Sequence, residues 1–501
     1  MVKLAVSNAI LMKHFVKVSF RSRFQHLSSR ELELVLILGA AAILSSSCAL
    51  HKPPAHAKVV GQALPKATPL PPNWTSNSAR GAVTNDWVKS FHDSGLERII
   101  AEAIANNLDL RQSAARVEEA RQNVIVIGAQ LKPQISAVAS GADLQSKNSL
   151  SQQGQNFRSN MEYGTVSWEL DVWGRLRAQR AAAQANYQAV AFDYAFARQS
   201  LAATTAKSWY LAIETRQLLD LAQQSVDIYK KLFELVKVRR AAGKVADLDV
   251  EEATFEVDQA ENQLTIAQGH YTEAKRALEV LIGRYPSAEL AVAETFAPLP
   301  PSIASGIPSS LLERRPDILS AEQEVLSAFR VQESAKLALL PSFALTFEGG
   351  HLSDRLLDVI HLNPWLIRSA AGVFVPIYEG GALRAEVKIA TAQEEQSIAY
   401  FGKVALTAFT EVEVALTNEE LLAKRLPLTE GAVNAHTEAV RIAKIRYEAG
   451  TIDLLGLLIL QEGAIESQIE LIQLRNAELA NRINLHLALG GSFDRMPATQ
   501  I

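Results

Sequence analysis

Cysteine is almost missing: one residue, Cys48, in 501. A solitary cysteine excludes an internal disulfide framework and any thiol pair. Long apolar runs are missing too. The one apolar run that resembles a membrane signal, residues 34–44, is too short to cross a bilayer as a helix. No His-Glu-x-x-His pair and no glycine-rich phosphate loop occurs, and the ten histidines are scattered. These absences point away from an enzyme and from a motor, and no cofactor or metal is expected. Charge bias is also lacking. A net charge of −4 gives no general attraction to nucleic acid. Finally, glycine and proline are absent from residues 175–242.

That last stretch organises the chain. It is dense in alanine and other strong helix formers. At about 1.5 Å per residue, one unbroken helix there would be roughly 100 Å long. Taken alone, it suits a coiled-coil rod.

The same segment occurs twice. Asp171-Val172-Trp173-Gly174-Arg175-Leu176-Arg177 corresponds to Tyr378-Glu379-Gly380-Gly381-Ala382-Leu383-Arg384, an offset of 207 (171 to 378). Lys237 to Gly243 matches Lys444 to Gly450, and Leu278 to Gly283 matches Leu485 to Gly490, at the same offset. Upstream, Asp109-Leu110 matches Asp317-Ile318 and Pro133 matches Pro341, one residue further apart. This is a tandem duplication of about 200 residues per copy, far longer than a solenoid repeat. The expected organisation is a leader over 1–47, an N-terminal arm over 48–85, a first repeat over 86–300, a second over 301–491 and a tail over 492–501.

The amino terminus carries a basic flank (Lys13, Lys17, Arg21, Arg23, Arg30) before the apolar run, as secretion signals do. Met12 is an alternative start. Cys48 directly follows Ser45-Ser46-Ser47. That position resembles the bacterial lipoprotein signal, in which the cysteine becomes the acylated first residue, although Leu44 stands one position early. An ordinary secreted protein is the other reading. Residues 49–73 hold six prolines and little periodicity, so an extended arm is expected.

From Asp86 to Gln130 the apolar spacing is helical, broken at Asn106-Asn107, with Asp109 as the expected cap of the second helix. After Pro133 the period changes to two. Ile135, Ala137 and Ala139 alternate with Ser136, Val138 and Ser140. After a polar loop from Ser146 to Ser159, the alternation returns at Val166, Trp168 and Leu170. The second copy repeats the hairpin: Phe343 to Phe347, a loop holding His351, Asp354 and Asp358, then a strand from Trp365 to Tyr378. Strands of this kind, with one apolar face, suit a transmembrane β-barrel. An edge sheet in a soluble domain is the alternative. Four strands cannot close a barrel alone, so oligomerisation would have to supply the rest.

Four stretches carry a family resemblance: Gly306 to Ile318 (with Leu312-Glu313-Arg314-Arg315-Pro316-Asp317), Ser167 to Arg175, Pro376 to Arg384, and Asp86-Trp87-Val88 with Asn106 to Leu110. Together they resemble the TolC-like outer-membrane efflux channels, in their lipoprotein branch, over residues 80–491. The resemblance implies a mainly α fold with a small β part. In a homotrimer, four strands per chain would close one β-barrel in the outer membrane, and the long helices would form an α-barrel tunnel through the periplasm. It implies a passive conduit working with a periplasmic adaptor and an inner-membrane proton-driven pump, outer-membrane lipid around the strands, and no nucleic acid. An exit duct of a type I protein secretion system and a non-conducting periplasmic rod are the rival readings.

In that family the turns at Gly243 and Gly450 form a periplasmic tip closed at rest. Asp453, Asp247 and Asp249 are then candidates for a carboxylate ring, and Leu455, beside Leu454, for a hydrophobic constriction. Arg239, Arg446 and Tyr447 are placed to bridge neighbouring helices. The plainer reading of each aspartate is a helix cap or a solvated first-turn charge. The family's acids six and nine residues past the second glycine are Gly456 and Ile459 here, which argues against its cation block. Gly174, Gly380-Gly381 and Pro316 are expected to shape junctions. Arg314 and Arg315 are expected to pair with carboxylates.

Overall fold

A computed structural model describes residues 50–64, 70–76, 83, 85–147, 154–353 and 365–491. Cys48, the leader, Asp354, Asp358 and residues 492–501 lie outside these. In chain order the elements are α1 (His56–Ala63), a 3-10 turn (Trp87–Phe91), α2 (Ser94–Asn106), α3 (Leu108–Ala129), β1 (Gln134–Lys147), β2 (Gly154–Leu170), α4 (Arg175–Ala241), α5 (Asp247–Leu281), a single turn (Pro308–Leu311), α6 (Pro316–Leu337), β3 (Ser342–Ser353), β4 (Trp365–Phe374), α7 (Ala382–Glu448) and α8 (Leu454–Ala488).

The bounds repeat with the sequence offsets. α4 and α7 each have 67 residues, α5 and α8 each have 35, and both pairs are displaced by 207. α3 and α6 each have 22 residues and are displaced by 208. The compact units do not coincide with the repeats, because each unit draws on both copies. One unit comprises residues 1–52, 126–180 and 330–389; the other comprises 53–125, 181–329 and 390–501.

In the second unit, alanine lets helix backbones approach. Ala202, Ala203, Ala206 and Ala212 of α4 are all buried beside Trp209, Tyr210 and Ile213. They join Trp87, Phe91, Leu96 and Ile99 in one core. His486 of α8 lies against this core. Its imidazole stacks on the Trp87 ring at 5.5 Å between centroids, and neither ring nitrogen has a hydrogen-bond partner among the described residues. Burial, then the nearby Arg482 charge, pushes its pKa down to about 3.

Four sequence expectations need correcting. The arm is not extended throughout: residues 56–63 form α1, with Val59 fully buried against Ile318, Phe401 and Ala405. The helical pattern after Asp86 starts with the 3-10 turn and restarts at Asp93, whose carboxylate accepts from the Leu96 N–H and the Trp209 indole. α3 is capped by Asn107, not Asp109; the Asn107 side chain accepts from the Leu110 N–H at 3.0 Å. Asp109 lies two positions past that cap and sits in the first turn instead. The strands are also longer than the apolar pattern. The polar stretch 154–159 belongs to β2, residues 351–353 belong to β3, and β4 stops at Phe374 rather than Tyr378.

Candidate functional site

In the first unit the four strands form one antiparallel sheet in the order β1-β2-β3-β4. The pairing puts like residues on like faces. Val166 stands opposite Ile135 and Phe347, Trp168 opposite Leu345, and Leu170 opposite Phe343, which in turn faces Val373. One face is therefore mostly apolar across all four strands, with Ser369 of β4 beside Phe347 as an exception. The other carries Ser136, Thr165, Ser167, Glu169, Thr346, Glu348 and Arg368, with Glu348 and Arg368 directly paired. The apolar face is not covered: Leu345 is 39%, Phe347 48% and Ile367 69% exposed. β1 and β4 each leave one edge of backbone donors and acceptors without a strand partner among the described residues. Such an edge must be paired or it becomes a site of association.

The junctions below the strands are locked locally. Gly174 takes φ +89°, which a Cβ would resist, and Asp171 then accepts from the N–H groups of Leu176 and Arg177 at 2.9 and 3.0 Å. Arg175 pairs with Glu169, and the Trp173 indole donates to the Pro341 carbonyl at 2.7 Å. The Asp-Val-Trp-Gly-Arg motif is thus a strand-to-helix joint.

In the second unit the two glycine turns share one construction. Gly243 and Gly450 adopt φ +67° and +75°. The next N–H bonds back to Arg239 and Arg446 carbonyls, each at 2.9 Å, which closes the helix end. The following helix starts differ. In the first turn, Asp249 accepts from the Ala246 N–H at 2.8 Å. In the second, Asp453 itself is the cap and accepts from the Gly456 N–H at 2.9 Å. Both aspartates therefore do the ordinary work of helix starts.

Of the seven residues proposed for a gate, the fold joins two directly. The Arg239 guanidinium lies 4.4 Å over the Tyr447 ring and donates to the Tyr447 carbonyl, tying α4 to α7. Tyr447 is 1% exposed, and its hydroxyl has no partner among the described residues. Burial raises its pKa, with the Arg239 charge opposing. Asp247 pairs with Arg240 across its turn at 2.5 Å, which holds its carboxyl below the usual range. Arg240 was missed in the sequence, although a base just before Gly243 and an acid just after it could have suggested the pair. Arg446, Asp453 and Leu455 remain on the surface; Leu455 is 53% exposed, and the Arg446 side chain makes no ion pair among the described residues.

The Arg-Arg-Pro-Asp motif is structural. Arg315, buried, pairs with Asp317 at 2.7 Å and Glu411 at 2.5 Å, and also donates to the Ala488 carbonyl. Arg314 does not meet a carboxylate. It donates to the Val83 carbonyl and the Asn85 side chain, because that side of the motif faces the arm. No group of acids, histidines and cysteines able to hold a metal ion occurs among the described residues.

Comparison with known proteins agrees with this architecture. The family model described as outer membrane efflux protein matches residues 99–284 and 307–491, one match per repeat. A relative from Pseudomonas putida, the probable efflux pump outer membrane protein TtgC, is 28% identical over 84% of this chain and 87% of its own. The pyoverdine export outer membrane protein OpmQ of Pseudomonas aeruginosa is 29% identical over 84% of this chain and 91% of its own. A crystal structure of a membrane protein from Pseudomonas aeruginosa superposes with TM-score 0.77 at 27% identity, covering 89% of this chain and all of that one.

Proposed function

This chain belongs to the outer membrane efflux protein family, and on that premise we propose that three copies assemble into one continuous conduit. The protein is an outer-membrane channel component of an efflux system, and its relatives and structural neighbours are channels rather than enzymes. In the proposed trimer, β4 of one copy pairs with β1 of the next. The twelve strands close a barrel whose apolar face meets lipid and whose polar face lines water.

One observation carries this reading. The sheet has two open edges and a largely apolar face left exposed, which is untenable in water for a monomer. Closure satisfies both edges at once, and membrane strands require such closure. The long helices of the same three copies would then form the periplasmic tunnel, with Arg239 and Tyr447 holding its glycine-turn end closed. Acylation at Cys48 would add an anchor. A periplasmic adaptor and an inner-membrane proton-driven pump would supply opening and energy, since the chain carries no nucleotide-binding motif. The relative named for pyoverdine export supports small organic molecules as cargo.

The test is single-channel recording of the purified protein in a planar bilayer, with its mass measured in detergent. A trimer giving small steps, enlarged by Arg239→Ala, Arg446→Ala or Asp453→Ala, is the expected result. A monomer that never inserts would refute the conduit.

A further inference from the structure

The duplication extends to strand register. Advancing β1 by 208 residues and β2 by 207, the offsets of the repeat, turns the pair Gln134 and Ser167 into Ser342 and Phe374. Ser342 opposite Phe374 is the register in which β3 and β4 pair. The second hairpin is thus a copy of the first in pairing as well as in sequence. The middle seam, β2 with β3, joins the end of the first hairpin to the start of the second. Its counterpart would join the end of the second hairpin, β4, to the start of the first, β1. Those strands are opposite edges of the sheet, and four strands are too few to close on themselves. The counterpart seam therefore needs a second copy of this chain.

Resting on the conduit reading, we propose that β4 pairs with β1 of the next copy in the register of the middle seam, and that this seam carries β4 beyond its end at Phe374. Moved by the same offsets, Leu170 opposite Phe343 becomes Ile377 opposite Ile135. Likewise Asn160 opposite Ser353 becomes Ile367 opposite Gln145. The seam then runs over residues 367–377 of one copy and 135–145 of the next. β4 stops at Phe374 in the single chain because nothing there pairs with the residues that follow. Pro376 offers no N–H, so the backbone ladder is complete only above it, and the contacts at Ile377 are between side chains.

Exposure picks out the same residues independently. Ile377 is 92% and Ile135 80% exposed in the single chain, and this register sets one against the other. Val375 then faces Ala137 and Val373 faces Ala139, all on the apolar face. A slip of one residue would send the apolar sets of the two strands to opposite faces. A slip of two would part the isoleucines. The base of the seam differs from its template in one respect. In the middle seam Trp173 donates to the Pro341 carbonyl. The corresponding positions are Gly380 and Pro133, and Gly380, at φ +62°, has no side chain to make that bond. Between copies the hold at the base falls to Ile377 and its exposed neighbour Tyr378.

Cysteine pairs test the register, with the full chain oxidised by copper phenanthroline in detergent and covalent trimer read on a non-reducing gel. Ala139→Cys with Val373→Cys places the thiols on directly opposed residues, about 4.5–5.5 Å apart at Cα and within disulfide reach. Ala139→Cys with Ala371→Cys, and Ala139→Cys with Val375→Cys, keep the face but miss the register by two residues. The first pair should give at least tenfold more covalent trimer than either of the others. The single variants, which retain Cys48, should give none. A preference for either shifted pair overturns the register and leaves the conduit reading standing. No covalent trimer from any pair, in a protein whose mass in detergent is that of a trimer, overturns the pairing of β4 with β1. A monomer in detergent overturns the seam together with the conduit. Should a cysteine pair fail to fold, Ile377→Asp decides. That side chain is free of packing in the single chain, so the protomer should keep its helix content while trimer yield falls at least tenfold. An unchanged trimer yield overturns the contact with Ile135.

Discussion

Replacing His486 with phenylalanine should make the protein less sensitive to acid. The imidazole is 2% exposed, stacked on Trp87, and held neutral with a pKa of about 3. In the unfolded chain it titrates near the ordinary 6.5. Above that value both states are neutral and His486 contributes no pH dependence. Below it the unfolded state takes up the proton first, so stability falls as pH falls, until about pH 3. Each pH unit is worth about 1.4 kcal/mol, so by pH 5 the loss is about 2 kcal/mol. At neutral pH the ring also buries two nitrogens that have no hydrogen-bond partner among the described residues, an arrangement that typically costs about 1–3 kcal/mol. His486→Phe keeps the stack, and His486→Leu guards against overpacking. The assay is urea unfolding in detergent, followed by tryptophan fluorescence at one protein concentration, at pH 7.5 and 5. The wild type should lose about 2 kcal/mol more than either variant over that interval. Parallel losses would refute the reasoning.

Other outcomes follow from the same contacts. Arg315→Ala removes the buried guanidinium that ties Asp317, Glu411 and the Ala488 carbonyl together and should cost about 1–3 kcal/mol, read by chemical unfolding; Arg315→Lys should not fully rescue it, because the carboxylates are engaged by separate nitrogens. Leu345→Arg, on the apolar face, should reduce membrane-inserted trimer by about 2–4 kcal/mol of stability, whereas Ala344→Arg on the polar face should insert and change conductance. Tyr447→Phe should leave stability nearly unchanged, since the hydroxyl has no partner among the described residues; Tyr447→Ala should cost about 3–5 kcal/mol and raise leak conductance.

Much was legible because it was periodic or punctuated. The long helices, the two hairpins, the glycines at the junctions and the start of α6 at Pro316 all follow from local signals. The misses share a cause: the deciding partner was elsewhere. Residues 154–159 are mostly polar, with Phe157 the one large apolar side chain, and show no apolar alternation of their own; β2 continues through them because β1 supplies backbone partners. Arg314 and Arg315 are neighbours with the same side chain, yet one faces the arm and the other faces Glu411, nearly a hundred residues on. Asp109 and Asn107 are both good caps, and only the turn geometry chose between them.

Composition and repetition alone determined a duplicated, mainly helical chain with two short amphipathic hairpins, because helix propensity and side-chain period are properties of the segment itself. Only the tertiary structure decided that the hairpins join into one sheet with a largely apolar face. It alone also placed Arg239 of the first copy on Tyr447 of the second and left the His486 ring nitrogens without a hydrogen-bond partner among the described residues. Each of these depends on which segment packs against which, and no local pattern encodes contacts made across some 200 residues of chain.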